Sequence, residues 1–250
     1  MIHLKTPQEV DIMDEANRIV LDVLDRLEKE LAPGVALQEL DAIAEDVATR
    51  RGAKPAFKGY NGYPASVCIS INDEVVHGIP GPRKLQAGDL VSMDFGVIYR
   101  DFYGDAARTC AVGGLDPDGE RLIRVTRESL LAGIELVREG NRVSDVSHAV
   151  QTHVEKHGFS VVRDYVGHGV GRALHEEPQV PNFGDPGRGP RLQAGMVLAI
   201  EPMVNEGEPG VSVDEDGWTV RTADGRRSAH FEFSVAVTQA GPRILGVQGV

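Results

Sequence analysis

The sequence predicts an α+β fold in which two similar halves pack around a pseudo-twofold axis. A segment over residues 85–94 recurs at residues 192–201, which indicates an internal repeat. Upstream of each copy, a helical pattern is bracketed by glycines, at 34–52 and at 140–158. Runs of β-forming residues follow the helical patterns in both halves. Each half is therefore predicted to be two helices followed by strands.

The repeated segment is the clearest part of this pattern. The first copy is LQAGDLVSMD and the second is LQAGMVLAIE, so both continue into an apolar run and end on a carboxylate, Asp94 or Glu201. The offset between the copies is 107 residues, and the bracketing glycines recur at an offset of 106. Agreement of two separate elements at nearly one offset favours a true repeat.

The helices follow from capping residues and apolar spacing. Thr6 is the expected N-cap of the first helix, with Pro7 at the first position and Glu9 completing a capping box. The second and fourth helices are predicted between the two glycine pairs, where valine, leucine and isoleucine recur at helical spacing. The third is predicted over residues 118–138.

The strands are predicted from runs of β-branched and apolar residues. These runs lie at residues 67–71, 90–99, 161–166, 197–200 and 231–237. Asp94 and Asp105 are separated by an odd number of positions across an expected turn near Arg100 and Asp101. A hairpin would then put both carboxylates on one face, directly opposed or diagonal.

Length and composition predict a single catalytic domain over residues 1–250, with pseudo-repeats at about 1–113 and 114–250. The net charge of −12 disfavours a specific nucleic-acid partner or an anionic membrane. Cys68 and Cys110 are too few for a disulfide framework, which favours a reducing compartment. No signal peptide or membrane span is evident in the sequence. We therefore expect a cytoplasmic monomer.

Four carboxylates interrupt strand-like apolar runs: Asp94, Asp105, Glu201 and Glu232. A lone carboxylate in a strand is usually an ion pair or an edge residue. Burying several together costs several kcal/mol unless a positive charge lies between them. An arginine or a divalent cation would supply that charge.

Three histidines join this set. His168 stands in the glycine-rich segment 167–171, His175 follows seven residues later, and His77 lies in a predicted loop. Carboxylate oxygens with one imidazole suit Mn, Fe, Co or Zn ions. Carboxylates that bridge two ions are typical of dinuclear hydrolases. His153 and His157 are also four positions apart on a helix, where a solvated face is the simpler interpretation.

The candidate ligands stand in the chain order Asp94, Asp105, His168, Glu201 and Glu232. This order resembles the metal set of the methionine aminopeptidases, and the resemblance covers essentially the whole chain. It includes the segments GYNGYP at 59–64, SVCISIN at 66–72, HGIP at 77–80, GHGVGR at 167–172, HEEP at 175–178 and EPM at 201–203. The sequence is most similar to the short bacterial type I form.

The resemblance implies a pita-bread (creatinase/aminopeptidase) fold with internal pseudo-symmetry. It implies removal of the N-terminal methionine from nascent proteins whose second residue is small and uncharged, by a hydroxide bridging two divalent metals. The expected partners are the N-termini of nascent polypeptides and, transiently, the ribosome.

The resemblance also assigns roles to individual residues. Asp105 and Glu232 would bridge the two ions, Asp94 would chelate one, and His168 with Glu201 would hold the other. Glu201 would also pass a proton to the leaving amine. His175 would hydrogen-bond near the scissile amide, and His77 would contact the substrate near the leaving group.

A methionine pocket is expected from six further residues: Tyr60, Tyr63, Cys68, Trp218, Phe57 and Leu174. The first four match the lining of the family. Phe57 replaces the usual cysteine and Leu174 replaces the usual phenylalanine. One change enlarges a side chain and the other reduces one, so the pocket volume could be conserved. Tyr60, Tyr63 and Trp218 could alternatively be ordinary core aromatics, and Cys68 a simple buried residue.

Two alternatives remain. A peptidase of the Xaa-Pro type shares this fold, but such enzymes usually carry an extra N-terminal domain and a further histidine between the two site histidines. The segment 170–174 contains no histidine. A non-enzymatic binding protein of the same fold would be expected to have lost ligands, whereas all five candidates are present.

Overall fold

The computed structural model describes residues 1–247, and these include four α-helices. Helix α1 is capped as predicted, because the Thr6 hydroxyl accepts from the Glu9 amide and the Glu9 carboxylate accepts from the Thr6 amide. Asp116 caps α3 in the same way through the Gly119 amide. The helices are α1 (Pro7–Glu30), α2 (Leu37–Arg50), α3 (Pro117–Ile134) and α4 (Val143–Lys156).

The strands form one large curved sheet and two small ones. They are β1 (Lys54–Pro55), β2 (Cys68–Ile71), β3 (Glu74–Val76), β4 (Leu90–Tyr99), β5 (Phe102–Ala111), β6 (Ser160–Val161), β7 (Gly167–Gly169), β8 (Glu176–Val180), β9 (Val197–Ile200), β10 (Met203–Asn205), β11 (Val211–Val213), β12 (Val220–Thr222), β13 (Ser228–His230), β14 (Glu232–Thr238) and β15 (Gly241–Ile244). The large sheet has the order β1-β4-β5-β14-β9-β7-β8, with β2 on β4 and β15 on β14.

The order of the large sheet reflects the sequence repeat. Strands β4 and β9 carry the two copies of the repeated segment, and they flank the central pair β5 and β14 symmetrically. The fourth residue of each copy, Gly88 or Gly195, comes just before the strand, and the φ angles of these glycines are 92° and 94°. Antiparallel pairing of β5 with β14 joins the halves at the centre of the sheet. This arrangement confirms the predicted α+β fold with an internal pseudo-twofold repeat.

Alternation along the strands separates a helix-facing side from an open side. On β4, Val91, Met93, Phe95 and Val97 pack with α1 and α2 in one apolar core. On β14, Phe233, Val235 and Val237 belong to a second core with residues of α3 and α4. The intervening residues of both strands, which include Asp94 and Glu232, therefore face the other side of the sheet.

The predicted hairpin is confirmed. Strands β4 and β5 pair from Leu90↔Ala111 to Tyr99↔Phe102, and the two turn residues, Arg100 and Asp101, have positive φ angles of 49° and 65°. That conformation is the twist-matched form of a two-residue turn. Asp94 lies opposite Ala107 and Asp105 lies opposite Gly96, so the two carboxylates are diagonal neighbours on one face.

The prediction of one strand over residues 161–166 is wrong. Only Ser160 and Val161 pair, with Asn205 and Val204 of β10 in a small sheet. The next strand, β7, begins at Gly167 and belongs to the large sheet. The intervening Arg163 and Asp164 are polar and lie in a connection between two different sheets. The predicted end of α3 at residue 138 also extends beyond its observed end at Ile134. Among residues 1–247, the helices are all too short or too polar to cross a membrane.

Candidate metal centre and active site

The open side of the sheet contains a cavity of about 200 Å³ at the junction of the two halves. Its lining comprises every residue that the sequence analysis proposed for the site, together with one that it did not, Asn61. The lining residues are Phe57, Tyr60, Asn61, Tyr63, Cys68, His77, Asp94, Asp105, His168, Leu174, His175, Glu201, Trp218 and Glu232.

The five candidate ligands are held by adjacent strands of the large sheet. Four of them lie on strands, and the fifth directly follows one. Asp94 is on β4 and Asp105 on β5, Glu232 begins β14, and His168 is the central residue of β7. Glu201 follows β9 directly, at the position equivalent to Asp94 in the repeat. Because these strands are adjacent in the sheet, residues distant in sequence converge at the cavity.

The chain can place a histidine on β7 because glycines flank it. A Cβ atom at Gly169 would lie 2.3 Å from the Glu177 carbonyl oxygen, closer than real Cβ atoms approach. The His168 Nδ1 is 2.9 Å from the Gly169 carbonyl oxygen, so an Nδ1–H group donates to it and leaves a lone pair on Nε2. This Nε2 is 3.5 Å from Glu201 Oε1 and 3.9 Å from Asp105 Oδ2. Such a backbone hydrogen bond is typical of metal-binding histidines.

The polar atoms of this cluster are buried without partners. Within residues 1–247, Asp94 Oδ1, Asp105 Oδ1 and Glu232 Oε1 are buried side-chain oxygens with no hydrogen bond. Unpaired buried carboxylate oxygens are costly, and among the described residues no lysine or arginine lines the cavity to compensate them. The residues therefore fit a cation: oxygen and imidazole donors converge, and their free lone pairs point to a missing positive charge.

The electrostatics of the cluster favour the same conclusion. Burial raises the pKa of the Asp94 carboxyl to about 7. Burial, followed by the neighbouring carboxylates, raises the pKa values of Asp105, Glu201 and Glu232 well above their ordinary value. Burial lowers the pKa of His168 to about 4, which keeps its imidazole in the neutral, ligating form. Carboxyl groups held this closely together bind a cation in exchange for protons.

His175 and His77 stand on the cavity wall near the carboxylates. The His175 ring lies 4.3 Å from the His168 ring between centroids, and its Nδ1 is 2.8 Å from the Tyr60 hydroxyl. His77 has a φ angle of 60°, which is unusual for a residue other than glycine and is common at functional sites. Burial lowers the pKa of both histidines, that of His77 to about 4. Both rings are therefore neutral hydrogen-bonding groups near pH 7.

An apolar wall completes the cavity. Tyr63 and Trp218 meet edge to face at 5.1 Å, and the Tyr63 hydroxyl donates to the Gly78 carbonyl oxygen at 2.8 Å. Phe57 packs over Gly96, where a Cβ atom would lie 2.7 Å from the Phe57 ring. Phe57, Leu174, Cys68 and Tyr63 all belong to one buried apolar cluster. The wall has the size and polarity of a site for an apolar side chain.

The sequence analysis missed His230. Its side chain is 1% exposed, and burial lowers its pKa to about 3. Its Nε2 lies 3.7 Å from Glu201 Oε2 and has no hydrogen bond to any residue in the described part of the chain. Glu201, His230 and Glu232 form one group of converging ligand atoms, and Asp105, His168 and Glu232 form another. His230 ends β13 only two positions before Glu232, and this closeness in sequence to a candidate ligand is the signal that could have identified it.

Comparisons with known proteins agree with this geometry. Residues 11–239 match the model of metallopeptidase family M24. The chain is 54% identical over 245 residues to a methionine aminopeptidase of Clostridium perfringens, covering 98% of each protein. The crystal structure of methionine aminopeptidase from Thermotoga maritima superposes with a TM-score of 0.97 at 48% identity, over 99% of this chain and 100% of that one.

A more distant structure shares the fold alone. The prolidase from Pyrococcus horikoshii superposes with a TM-score of 0.80 at 22% identity. It matches 98% of this chain, but this chain covers only 64% of the prolidase. The pita-bread architecture is therefore common to both kinds of peptidase, whereas the high identity over full length lies with the methionine aminopeptidases.

Proposed function

Because the chain belongs to the methionine aminopeptidases of metallopeptidase family M24, we propose that it removes the N-terminal methionine from polypeptides by metal-dependent hydrolysis. The observation that carries this proposal is the cavity itself. Unpaired carboxylate oxygens and a neutral histidine form its polar end, and an apolar wall lies beside them. The polar end suits a cation and a free α-amino group, and the apolar wall suits a methionine side chain.

We propose that the site holds two divalent ions. Two groups of converging ligand atoms share Glu232, which supports two adjacent ions bridged by that residue. Asp105 would be the second bridge, as the resemblance to the family implies. Asp94 would complete the coordination of one ion, and His168 with Glu201 would complete that of the other. The oxygen and nitrogen donors suit Mn, Fe, Co or Zn. When bound, such ions polarise the scissile carbonyl and activate water at neutral pH.

The remaining residues bind and orient the substrate in this proposal. Tyr60 donates its hydroxyl proton to His175 Nδ1, so the His175 Nε2–H group is free to donate to the scissile amide. His77 contacts the substrate near the leaving amine. The Glu201 carboxylate would accept a proton from the attacking water and pass it to that amine. Tyr60, Tyr63, Cys68, Trp218, Phe57 and Leu174 enclose the methionine side chain and exclude water from the reacting bond.

The proposed substrates are nascent chains whose second residue is small and uncharged, since a larger residue would have to fit beside His77 and His175. We propose that the protein acts as a cytoplasmic monomer that meets these chains transiently at the ribosome. Its net charge of −12 would restrict any contact with ribosomal RNA to local basic patches.

The test measures free methionine released from Met-Ala-Ser by metal-stripped protein, with Mn, Fe, Co or Zn added back singly. Met-Lys-Ser and Ala-Pro-Ser are the control peptides. We expect metal-dependent cleavage of Met-Ala-Ser alone. Cleavage of Ala-Pro-Ser instead would assign the protein to the proline-specific peptidases. Metal binding without cleavage of any of these peptides would indicate a binding protein.

A further inference from the structure

A second group of possible metal ligands lies on the helical side of the molecule. Glu128 of α3, His153 of α4 and His157, which follows α4, each offer one ligand atom, and these atoms lie within 4.8 Å of one another. None of the three lines the active-site cavity. The His153 Nε2 is 3.3 Å from Glu128 Oε2, and the two imidazole rings are 4.7 Å apart between centroids.

The packing of α3 against α4 determines this convergence. His153 and His157 are four residues apart and so lie on one face of α4 and its C-cap. The two helices approach closely, because a Cβ atom at Gly133 of α3 would lie 2.8 Å from a methyl carbon of Val150. Glu128 of α3 is thereby held beside both histidines.

The hydrogen bonds prepare His157 to bind a cation. Its Nδ1 is 2.8 Å from the His153 carbonyl oxygen, so an Nδ1–H group donates there and Nε2 keeps a free lone pair. Metal-binding histidines generally have this arrangement. The ring also stands at the C-terminal end of α4, where the unpaired carbonyl groups give a partial negative charge that favours cations.

Two positive side chains already contact the group, Arg121, whose Nη1 donates to the His157 carbonyl oxygen at 2.8 Å, and Arg124. Arg124 Nη1 lies 3.2 Å from both carboxylate oxygens of Glu128, one helical turn away. Such an exposed ion pair contributes little to stability, so a cation can replace Arg124 at Glu128 Oε2. The pair with Arg124 also gives no reason for His157 to stand beside Glu128.

We propose that Glu128, His153 and His157 form a binding site for a zinc-like divalent ion, separate from the active site. Three protein ligands and a water molecule would complete a tetrahedral zinc environment. The ion would link the C-terminal end of α4 to the middle of α3, so its role would be structural.

The test counts bound ions. Metal-stripped wild type, His157→Ala and His148→Ala are dialysed against Zn²⁺ at concentrations that saturate the wild type. His148 is the matched control, because it is an exposed histidine of the same helix whose neighbours are Gly184 and Thr152. We expect His157→Ala to bind one zinc equivalent fewer per chain and His148→Ala to bind as many as the wild type. Equal binding by wild type and His157→Ala would overturn the proposal, as would an equal loss in His148→Ala.

A second measurement locates the ion and does not depend on one variant. In ¹⁵N-histidine NMR spectra of the wild type, Zn²⁺ is expected to shift the Nε2 signals of His153 and His157. Glu128→Gln keeps the side-chain shape but removes the charge. It is expected to lower the zinc affinity, measured from these shifts, at least tenfold. Unchanged His153 and His157 signals at saturating zinc would refute the site. Methionine release with Mn²⁺ should be normal in every variant, which separates this test from that of the active site.

Discussion

Asp105 is buried in the cavity with three other carboxyl groups and has an oxygen without a partner. Removing a residue that only hydrogen-bonds to a metal ligand typically lowers metal affinity or activity by about 10–100-fold. Loss of a ligand itself is expected to cost more. We therefore expect Asp105→Asn to lower methionine release by more than about 100-fold. The same change should raise the melting temperature of the metal-free protein at neutral pH, because the folded protein no longer has to bury a carboxyl group that takes up a proton there.

Peptide assays and thermal melts with and without Mn²⁺ check both results. Asp118→Asn is the control, since Asp118 is an exposed carboxylate outside the cavity. It should leave activity unchanged and should not raise the melting temperature, because its negative charge stabilises the N-terminal turn of α3. Near-normal turnover by Asp105→Asn would exclude Asp105 as a bridging ligand.

The shape of the proposed methionine pocket depends on the volumes of its side chains. Phe57 and Leu174 belong to the same buried cluster, as expected if one large and one small side chain are exchanged relative to the family. Phe57→Cys should enlarge the pocket, raise KM severalfold and leave kcat nearly constant, because it weakens binding of substrate and transition state equally. The double variant Phe57→Cys/Leu174→Phe should recover much of the KM. A collapse of kcat in Phe57→Cys would show that Phe57 acts elsewhere.

The site residues differ in how visible they are in the sequence. Asp94, Asp105, Glu201 and Glu232 stand out because carboxylates are rare within buried strands. His230 does not stand out, because a histidine in a strand is common and its importance depends on Glu201, which follows a different strand, β9. The sequence shows the type of each residue, but the contact between strands exists only in the fold.

At the scale of elements, an ion pair holds the segment that leads to His175. Lys5 Nζ lies 2.6 Å from Glu176 Oε2, and both side chains are under a tenth exposed. The other carboxylate oxygen accepts from the amide groups of Arg172 and Ala173, at 2.8 and 3.3 Å. The N-terminal segment, which sequence reasoning left unused, thus orders the loop before a proposed substrate-binding histidine.

Lys5→Met should therefore affect both stability and turnover. Removing one partner of a buried ion pair costs about 3–5 kcal/mol, since the remaining charge is uncompensated. We expect Lys5→Met to lower the free energy of unfolding by about this amount and to lower kcat, while metal affinity stays constant because His175 is not a proposed ligand. Urea unfolding, steady-state kinetics and metal titration check these outcomes.

The double variant Lys5→Met/Glu176→Gln separates charge from packing. It should be more stable than Lys5→Met, because no unpaired charge remains. If the double variant is no more stable, or if Lys5→Met changes metal affinity as strongly as kcat, the ion pair does not act by positioning His175.

Elements that depend on local signals were predicted well, and those that depend on pairing were not. The four helices, the β4–β5 hairpin and β9 follow from caps, glycines and periodicity. The short strands β10 to β13 follow no such pattern, because each pairs over only two or three residues and, except for β11 with β12, with strands distant in sequence. The error at residues 161–166 has the same origin, since an apolar run can pass from one sheet to another.

At the scale of the whole molecule, the candidate ligands come from both halves of the chain. Asp94 and Asp105 belong to the first half, and His168, Glu201 and Glu232 to the second, with the β5–β14 pairing between them. An ion bound there requires both halves to be folded. Without the ion, the carboxyl groups of the two halves must take up protons to be buried together at the junction, which lowers stability at neutral pH. The metal is therefore expected to stabilise the contact between the halves as well as to support catalysis.

This expectation tests the proposed single domain directly. In urea, metal-free protein should unfold in one transition, with coincident curves from circular dichroism and from fluorescence of Trp218, the only tryptophan. Mn²⁺ at about 100 times its Kd should raise the free energy of unfolding by about 2.7 kcal/mol per ion and move both curves equally. Asp105→Asn should not respond. Two transitions, of which Mn²⁺ moves only one, would mean that the halves unfold as separate units, and the single-domain prediction would then be wrong.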